Sequence, residues 1–284
     1  MEGAFPSTFS IVAYDPDARQ WGVAVQSKFL AVGWIVPWAY WGVGAVATQS
    51  RANATFGPRG LALMRDGLNA EEALRKLLAE DEHPEIRQVG LVDKRGLAAA
   101  HTGEGCDEWA GHLVGDGYCC QGNTLARSAV VHEMAAGFED ARGQLADRLM
   151  EALIAGQEAG GDRRGQQSAA LYVVAENEGH RCLDHRYIDL RIDDGEQPIE
   201  ALGELLFKFK VTFHKTTRHD VVPWSRDRTM QLGQVPALQP YLRASEGATV
   251  RQVQAALSRF ARDNGVRDPE LDSGIDGRLW RLLR

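Results

Sequence analysis

"GAFPSTFSIVAYDPDARQWGVAVQSK", residues 3–28, decides the architecture. Within it "TFSIVAY" (8–14) is rich in β-branched and aromatic residues and reads as a strand. "DPDARQ" is turn chemistry, and "WGVAVQSK" (21–28) returns as a second strand. The pair predicts an antiparallel hairpin whose loop is longer than the minimal two residues. Thr8 and Ser10 put two hydroxyls at the head of the first strand. An isolated hydroxyl is a weak nucleophile without a base, so their ordinary role is a polar strand face.

Outward from the hairpin, a third, Gly-rich strand is expected at 42–48 ("GVGAVAT"). "GPRGLALMRDG" and "NAEEALRKLLAED" follow as helices. The second has Asn69 as N-cap, Glu71 and Glu72 in its first turn, and Ala73, Leu74, Leu77 and Leu78 as its stripe. Strands are expected at 86–92, 96–101 and 117–121, then a helical block over 125–158 that splits near Gly143. Strands at 168–174 and 185–192 and a helix over 197–210 complete this part. Hairpins outnumber crossovers, so the sheets should be largely antiparallel, stacked and covered by paired helices. Residues 215–247, with three prolines and no sustained period, read as a linker packing on the main domain. Residues 248–284 read as a small helical segment, led by a helix with Val250, Val253, Ala256, Leu257 and Phe260 on its stripe and Gly265 at its stop. Trp224, Leu232, Tyr241 and Phe260 are expected to be covered by the main domain or across a homodimer.

The chain has 284 residues, 44% hydrophobic and 25% charged, with net charge −7 and pI near 5.7. That composition is globular. The acidic balance argues against a nucleic-acid partner, and no apolar run reaches the roughly 18 residues of a membrane span. "MEGAFPST" has neither a basic n-region nor an apolar core, so no signal peptide is expected. Cys106, Cys119, Cys120 and Cys182 contain no C-x-x-C pair. They read as packing cysteines of a reduced, cytoplasmic protein.

Polar residues cluster at predicted strand ends and helix starts. "SKFLAVGWIVPWAYWGVGAVATQS" (27–50) carries Lys28, five aromatics that suit either core or pocket wall, and Gln49. "TQSRANATFGPRG" (48–60) gathers amides and hydroxyls before a helix start, where Asn53 and backbone N–H groups suit an anion or a cap. "HTGEGCDEWAGHLVGDGYCCQGN" (101–123) lacks zinc-ligand spacing for His101 and His112, and lacks G-x-G-x-x-G, so neither a metal nor a dinucleotide is expected. Gln121 and Asn123 leave a predicted strand and enter a helix, where a side-chain amide suits a cap or an oxyanion donor. "GGDRRGQQSAAL" (160–171) offers Arg163 and Arg164 for a carboxylate.

Taken together, "TFSIVAYDP…GVAVQSKFLAVG…VPWA…GVGAVATQS", "GPRGLALM", "GHLVGDGYCCQGN" and "GGDRRGQQSAAL" closely resemble the DUF1028 family over roughly residues 8–210. That resemblance implies an α+β fold, a four-layer α-β-β-α sandwich like that of N-terminal-nucleophile (Ntn) hydrolases. It implies an N-terminal extension at 1–7, an Ntn-like domain at 8–214, and a C-terminal segment described in the family as peptidoglycan-binding. Ntn enzymes use an N-terminal Thr, Ser or Cys whose own α-amine is the base. The matching position is Thr8, and "MEGAFPS" precedes it, so the role requires either that these seven residues be removed, as by self-cleavage at Ser7–Thr8, or that the true start lie further along; otherwise the domain uses no N-terminal nucleophile.

The resulting expectation is an amidohydrolase for a small amide or ureide, without cofactor. Thr8 would be the nucleophile, Lys28 would lower its pKa or hold substrate, and Asn123 would receive the oxyanion. Gln49, Asn53, Arg163 and Arg164 would bind substrate. The competing expectation is a catalytically silent Ntn-like protein that holds a small ligand or partner in the same cleft.

Overall fold

The computed structural model describes residues 8–176, 185–213, 221–242, 249–266 and 274–283. The 1–7 extension and Cys182 lie outside these. The chain divides into two compact units, Met1–Gly203 and Glu204–Arg284.

The first unit contains a six-stranded and a four-stranded sheet, both antiparallel. The expected hairpin is present. β1 (Thr8–Asp15) pairs with β2 (Gln20–Ser27) from Thr8↔Ser27 to Asp15↔Gln20. Asp15 Oδ1 accepts from the N–H groups of Asp17 and Ala18, closing the turn. β3 (Pro37–Tyr40), β4 (Gly44–Ser50), β5 (Arg87–Asp93) and β6 (Ala98–Thr102) form the four-stranded sheet in chain order. The larger sheet adds β7 (Gly111–Gly115), β8 (Tyr118–Gly122), β9 (Ser168–Val174) and β10 (Arg186–Ile192), in the order β10-β9-β2-β1-β8-β7. β1 and β2 thus occupy its centre. β3 and β7 were not expected from the sequence. Each is an edge strand of four or five residues, too short for a period-2 pattern to stand out.

Alternation along the strands builds the layers. Val12, Val23, Val25, Cys119, Ala170 and Val174 of the six-stranded sheet bury against Ala45, Ala47 and Val92 of the four-stranded sheet. Val46, Val89 and Leu91 point the other way. They pack with Phe56, Leu61 and Met64 of α1 (Phe56–Arg65) and Ala73, Leu74 and Leu77 of α2 (Ala70–Ala79). α2 begins with the expected cap: Asn69 accepts from Glu72 N–H, and the Glu72 carboxylate accepts from Asn69 N–H. α3 (Ala129–Asp140) and α4 (Leu145–Glu158), separated at Gly143, pack on the far face of the six-stranded sheet. Gly22 and Gly156 permit that close approach. A Cβ at Gly22 would sit 2.6 Å from the Leu149 side chain, and one at Gly156 3.3 Å from the Phe9 ring of β1.

α5 (Pro198–Phe213) crosses the division between the units. Residues 215–247, read above as a linker, contain β11 (Val221–Pro223), α6 (Arg226–Gly233) and a 3₁₀ segment, Pro236–Tyr241. With α7 (Val250–Asp263), β12 (Gly274–Asp276) and α8 (Gly277–Leu282) they share one core: Leu232, Val235, Leu238, Val253, Leu257, Ile275, Leu279 and Leu283. β11 pairs antiparallel with β12. Leu232 is buried in this core, Trp224 and Phe260 pack against it, and Tyr241 meets Phe260 edge-on at 5.8 Å. Leu232 is buried within its own unit, and Trp224, Tyr241 and Phe260 are half-buried there.

Candidate functional site

Antiparallel pairing collects polar residues at one end of the six-stranded sheet. β1 begins there, β2 and β8 end there, and β9 begins there. Thr8 lies opposite Ser27, Ser27 opposite Ser168, and Phe9 opposite Gly122. Thr8, Ser10 and Ser27 share the face that carries Val12 and Val25 further along, so their hydroxyls enter the space between the sheets. Gln49 of β4 and Gln88 of β5 enter it from the opposite side, in phase with Ala47 and Val92. All of these residues are fully buried, Thr8 included.

Burial obliges these groups to bond one another. The Thr8 hydroxyl donates to Ser27 Oγ at 3.2 Å. The Thr8 carbonyl accepts from Asn123 N–H at 3.0 Å and Gln49 Nε2 at 3.3 Å. Ser10 Oγ donates to Gln49 Oε1 at 2.6 Å and accepts from Gln121 Nε2 at 2.7 Å. Gln88 is the hub. Its Oε1 accepts from Gln49 Nε2 and Asn123 Nδ2, each at 2.9 Å. Its Nε2 donates to Gly122 O at 2.8 Å and to Thr102 Oγ1 at 2.9 Å. Thr102 Oγ1 lies 2.9 Å from His112 Nδ1. Because that hydroxyl already accepts from Gln88, its proton is free to go to Nδ1, which favours neutral imidazole. Burial, and then the neighbouring His101, lower the His112 pKa, in the same direction. Gly90 makes room for this layer: a Cβ there would stand 2.3 Å from Gln121 Oε1.

A second polar group adjoins the first. The Asp162 carboxylate, buried in the 161–167 loop, accepts from Lys28 N–H at 3.2 Å and Arg164 N–H at 2.9 Å. It also takes the Arg164 guanidinium through Nε at 3.1 Å and Nη2 at 2.8 Å. Arg163 N–H donates to Thr124 O at 3.1 Å, tying the loop to the end of β8.

The candidate residues therefore separate. Thr8, Gln49 and Asn123 meet in the buried network. Lys28, Arg163 and Arg164 gather at the neighbouring loop, with the Lys28 ammonium 3.0 Å from Gln166 O on the exposed side. Asn53 joins neither group. Its Nδ2 donates to Asp81 Oδ2 at 2.7 Å, and its Oδ1 accepts from Thr55 N–H at 3.1 Å and Thr55 Oγ1 at 2.7 Å, ahead of α1. It orders the helix entry, as an Asn side chain accepting from the backbone two residues on readily does. Asn123 stands beside Thr8 as expected, but with its N–H on the Thr8 carbonyl and Nδ2 on Gln88. It positions the Thr8 main chain. Arg164 is held by the buried Asp162 carboxylate two residues away.

Ser27, Gln88, Asp162 and Ser168 were not singled out in the sequence. For those on strands the only signal is a polar side chain at an inward position of an otherwise apolar strand, as in "VAVQSK", "RQVGLV" and "SAALYVV"; Asp162 sits in a loop. The cysteines of β8 take no part. Cys119 Sγ faces Leu91 O and Ala99 O, and burial pushes its thiol up to about 12; Cys120 is raised as well by burial. Among the described residues, no group of three or more His, Cys, Asp or Glu stands as a metal-ligand set, and no helix is long and apolar enough to cross a membrane.

Residues 8–202 match the DUF1028 family, described as a family of unknown function. The chain belongs to the DUF1028 family. The match begins at the residue that heads β1 and ends one residue before the first unit does. This DUF1028 chain is also similar to the crystal structure of protein SPO2555 from Silicibacter pomeroyi, which carries the same family description. The two are 30% identical and superpose with a TM-score of 0.66, over 72% of this chain and 89% of that one. No curated protein matches the chain in sequence.

Proposed function

We propose that the first unit is an Ntn-hydrolase-like α-β-β-α sandwich and that the protein is an amidohydrolase for a small amide or ureide, latent until Thr8 becomes N-terminal. One observation carries this reading. Thr8 heads the central strand β1, with its hydroxyl between the sheets at 3.2 Å from Ser27 and its carbonyl clamped by Asn123 N–H and Gln49. With its carbonyl fixed, a Thr8 freed at its nitrogen would keep its hydroxyl and α-amine in one geometry. The amine would take the hydroxyl proton as Oγ1 attacks the substrate carbonyl, then pass it to the leaving amine. Water would cleave the acyl ester and regenerate Thr8. In the intact chain that nitrogen is an amide and cannot serve as the base.

The second reading, a silent binding protein, is favoured by the full burial of Thr8 and by the hydrogen bonds that already occupy its hydroxyl and carbonyl. Intact-mass measurement of the purified protein, paired with a panel of small amides and ureides, separates the two. Loss of residues 1–7 together with amide hydrolysis supports the enzyme. A full-length mass and an inert Thr8-initiated chain support the binding protein.

A further inference from the structure

An open surface pocket of about 330 Å³ lies beside the end of β2, lined by Lys28, Gln166, Gln167, Asp194, Gly195 and Glu196. Its size falls within the roughly 300–1,000 Å³ of small-molecule sites. Its lining sets opposite charges apart. The Lys28 ammonium donates to Gln166 O at 3.0 Å and, among the described residues, makes no ion pair. Asp194 Oδ1 accepts from Gln167 Nε2 at 3.1 Å, and neither Asp194 nor Glu196 pairs with a cation among the described residues.

Main-chain bonds hold this separation. Gly195 N–H donates to Gln167 O at 2.8 Å, Gln167 N–H to Ser27 O at 3.0 Å, and Ala31 N–H to Asp193 O at 2.8 Å. The segments bearing the two signs of charge are therefore stitched to each other and to the strand residue whose hydroxyl accepts from Thr8. A cation and two carboxylates that share one pocket without neutralising each other are complementary to a molecule carrying both charges.

We infer that this pocket binds a small dipolar amide of the dipeptide type, its carboxylate at Lys28 and its ammonium at Asp194 and Glu196. As a binding site it stands on the pocket alone; as the substrate class it rests on the hydrolase reading above.

The test is an amide-resolved NMR titration of the full-length protein with glycylglycine, N-acetylglycine and glycinamide. The second probe lacks the ammonium and the third lacks the carboxylate. The expected result is a saturable shift of the Gln167 and Gly195 amides with glycylglycine, and binding at least roughly tenfold weaker for either half-charged probe. Lys28→Met, at an exposed position, should weaken glycylglycine by roughly tenfold with unchanged melting, consistent with the loss of a charged hydrogen bond. No saturable shift at these amides, or equal affinity for all three probes, overturns the proposal. The titration needs no free Thr8 amine. Hydrolysis without this binding removes only the site, and binding without hydrolysis removes only the enzyme.

Discussion

The Thr8 hydroxyl donates to the Ser27 hydroxyl directly across the first hairpin, at 3.2 Å. The bond joins the first residue of β1 to the last residue of β2. Beside it, the clamp on the Thr8 carbonyl leads into the amide network of Gln49, Gln88 and Asn123. On the other side, Ser27 leads through Gln167 and Lys28 to the charged pocket. A perturbation on either flank should therefore have its own signature.

Gln88→Ala removes the hub of the network. It leaves Asn123 Nδ2 without its side-chain acceptor, and takes one partner each from Gln49 Nε2 and the Gly122 carbonyl. The expected cost is about 2–4 kcal/mol, because each buried group left unpaired bears its own desolvation penalty. Urea denaturation should show a lower midpoint at unchanged slope. A midpoint equal to wild type would mean that the network carries no stability.

Asp162→Ala releases Lys28 N–H and the Arg164 guanidinium. The Arg164 side chain is 36% exposed and can turn to water, so the global cost should stay near 1–3 kcal/mol. The local effect should be larger, with faster hydrogen exchange at the Lys28 and Arg164 amides than at the centre of β2. Uniform acceleration across the sheet would show that Asp162 supports the whole domain rather than the loop.

His112 is expected to give the fold a pH dependence. Burial, and then His101, lower its pKa below the usual value near 6.5. In the window between that value and the lower folded one, the unfolded chain binds more protons, so stability falls as pH drops and levels off below the folded value. His112→Asn keeps an acceptor for Thr102 and removes the titration. It should flatten the change in unfolding free energy between about pH 7 and pH 5. An unchanged slope would place the dependence on another group.

Much of this was legible in the sequence where local chemistry decides structure. The hairpin follows from strand residues flanking "DPDARQ", and the start of α2 from the Asn69–Glu72 pair. The break between α3 and α4 follows from Gly143, whose φ of 107° favours glycine. The edge strands β3 and β7 were hidden because pairing with β4 and β8, rather than their own pattern, makes them strands. The elements of 221–242 are each too short to show a period. At the site, Thr8, Gln49 and Asn123 could be anticipated from strand ends. Gln88 could not, because which face a single strand glutamine takes depends on the packing of two sheets. Asn53 and Arg164 stand outside the buried network, held by partners close in sequence, Thr55 and Asp162.

The central claim is that Thr8 is a nucleophile awaiting its own amine. Amide hydrolysis by a chain beginning at Thr8 tests it most directly, measured beside the full-length protein and the Thr8→Ala and Ser10→Ala variants of the shortened chain. Hydrolysis should appear in the shortened chain, be absent from the full-length protein, vanish in Thr8→Ala and survive in Ser10→Ala. A folded shortened chain that hydrolyses no amide, or one whose activity is unchanged by Thr8→Ala, would contradict the claim and leave Thr8 as a structural residue of β1.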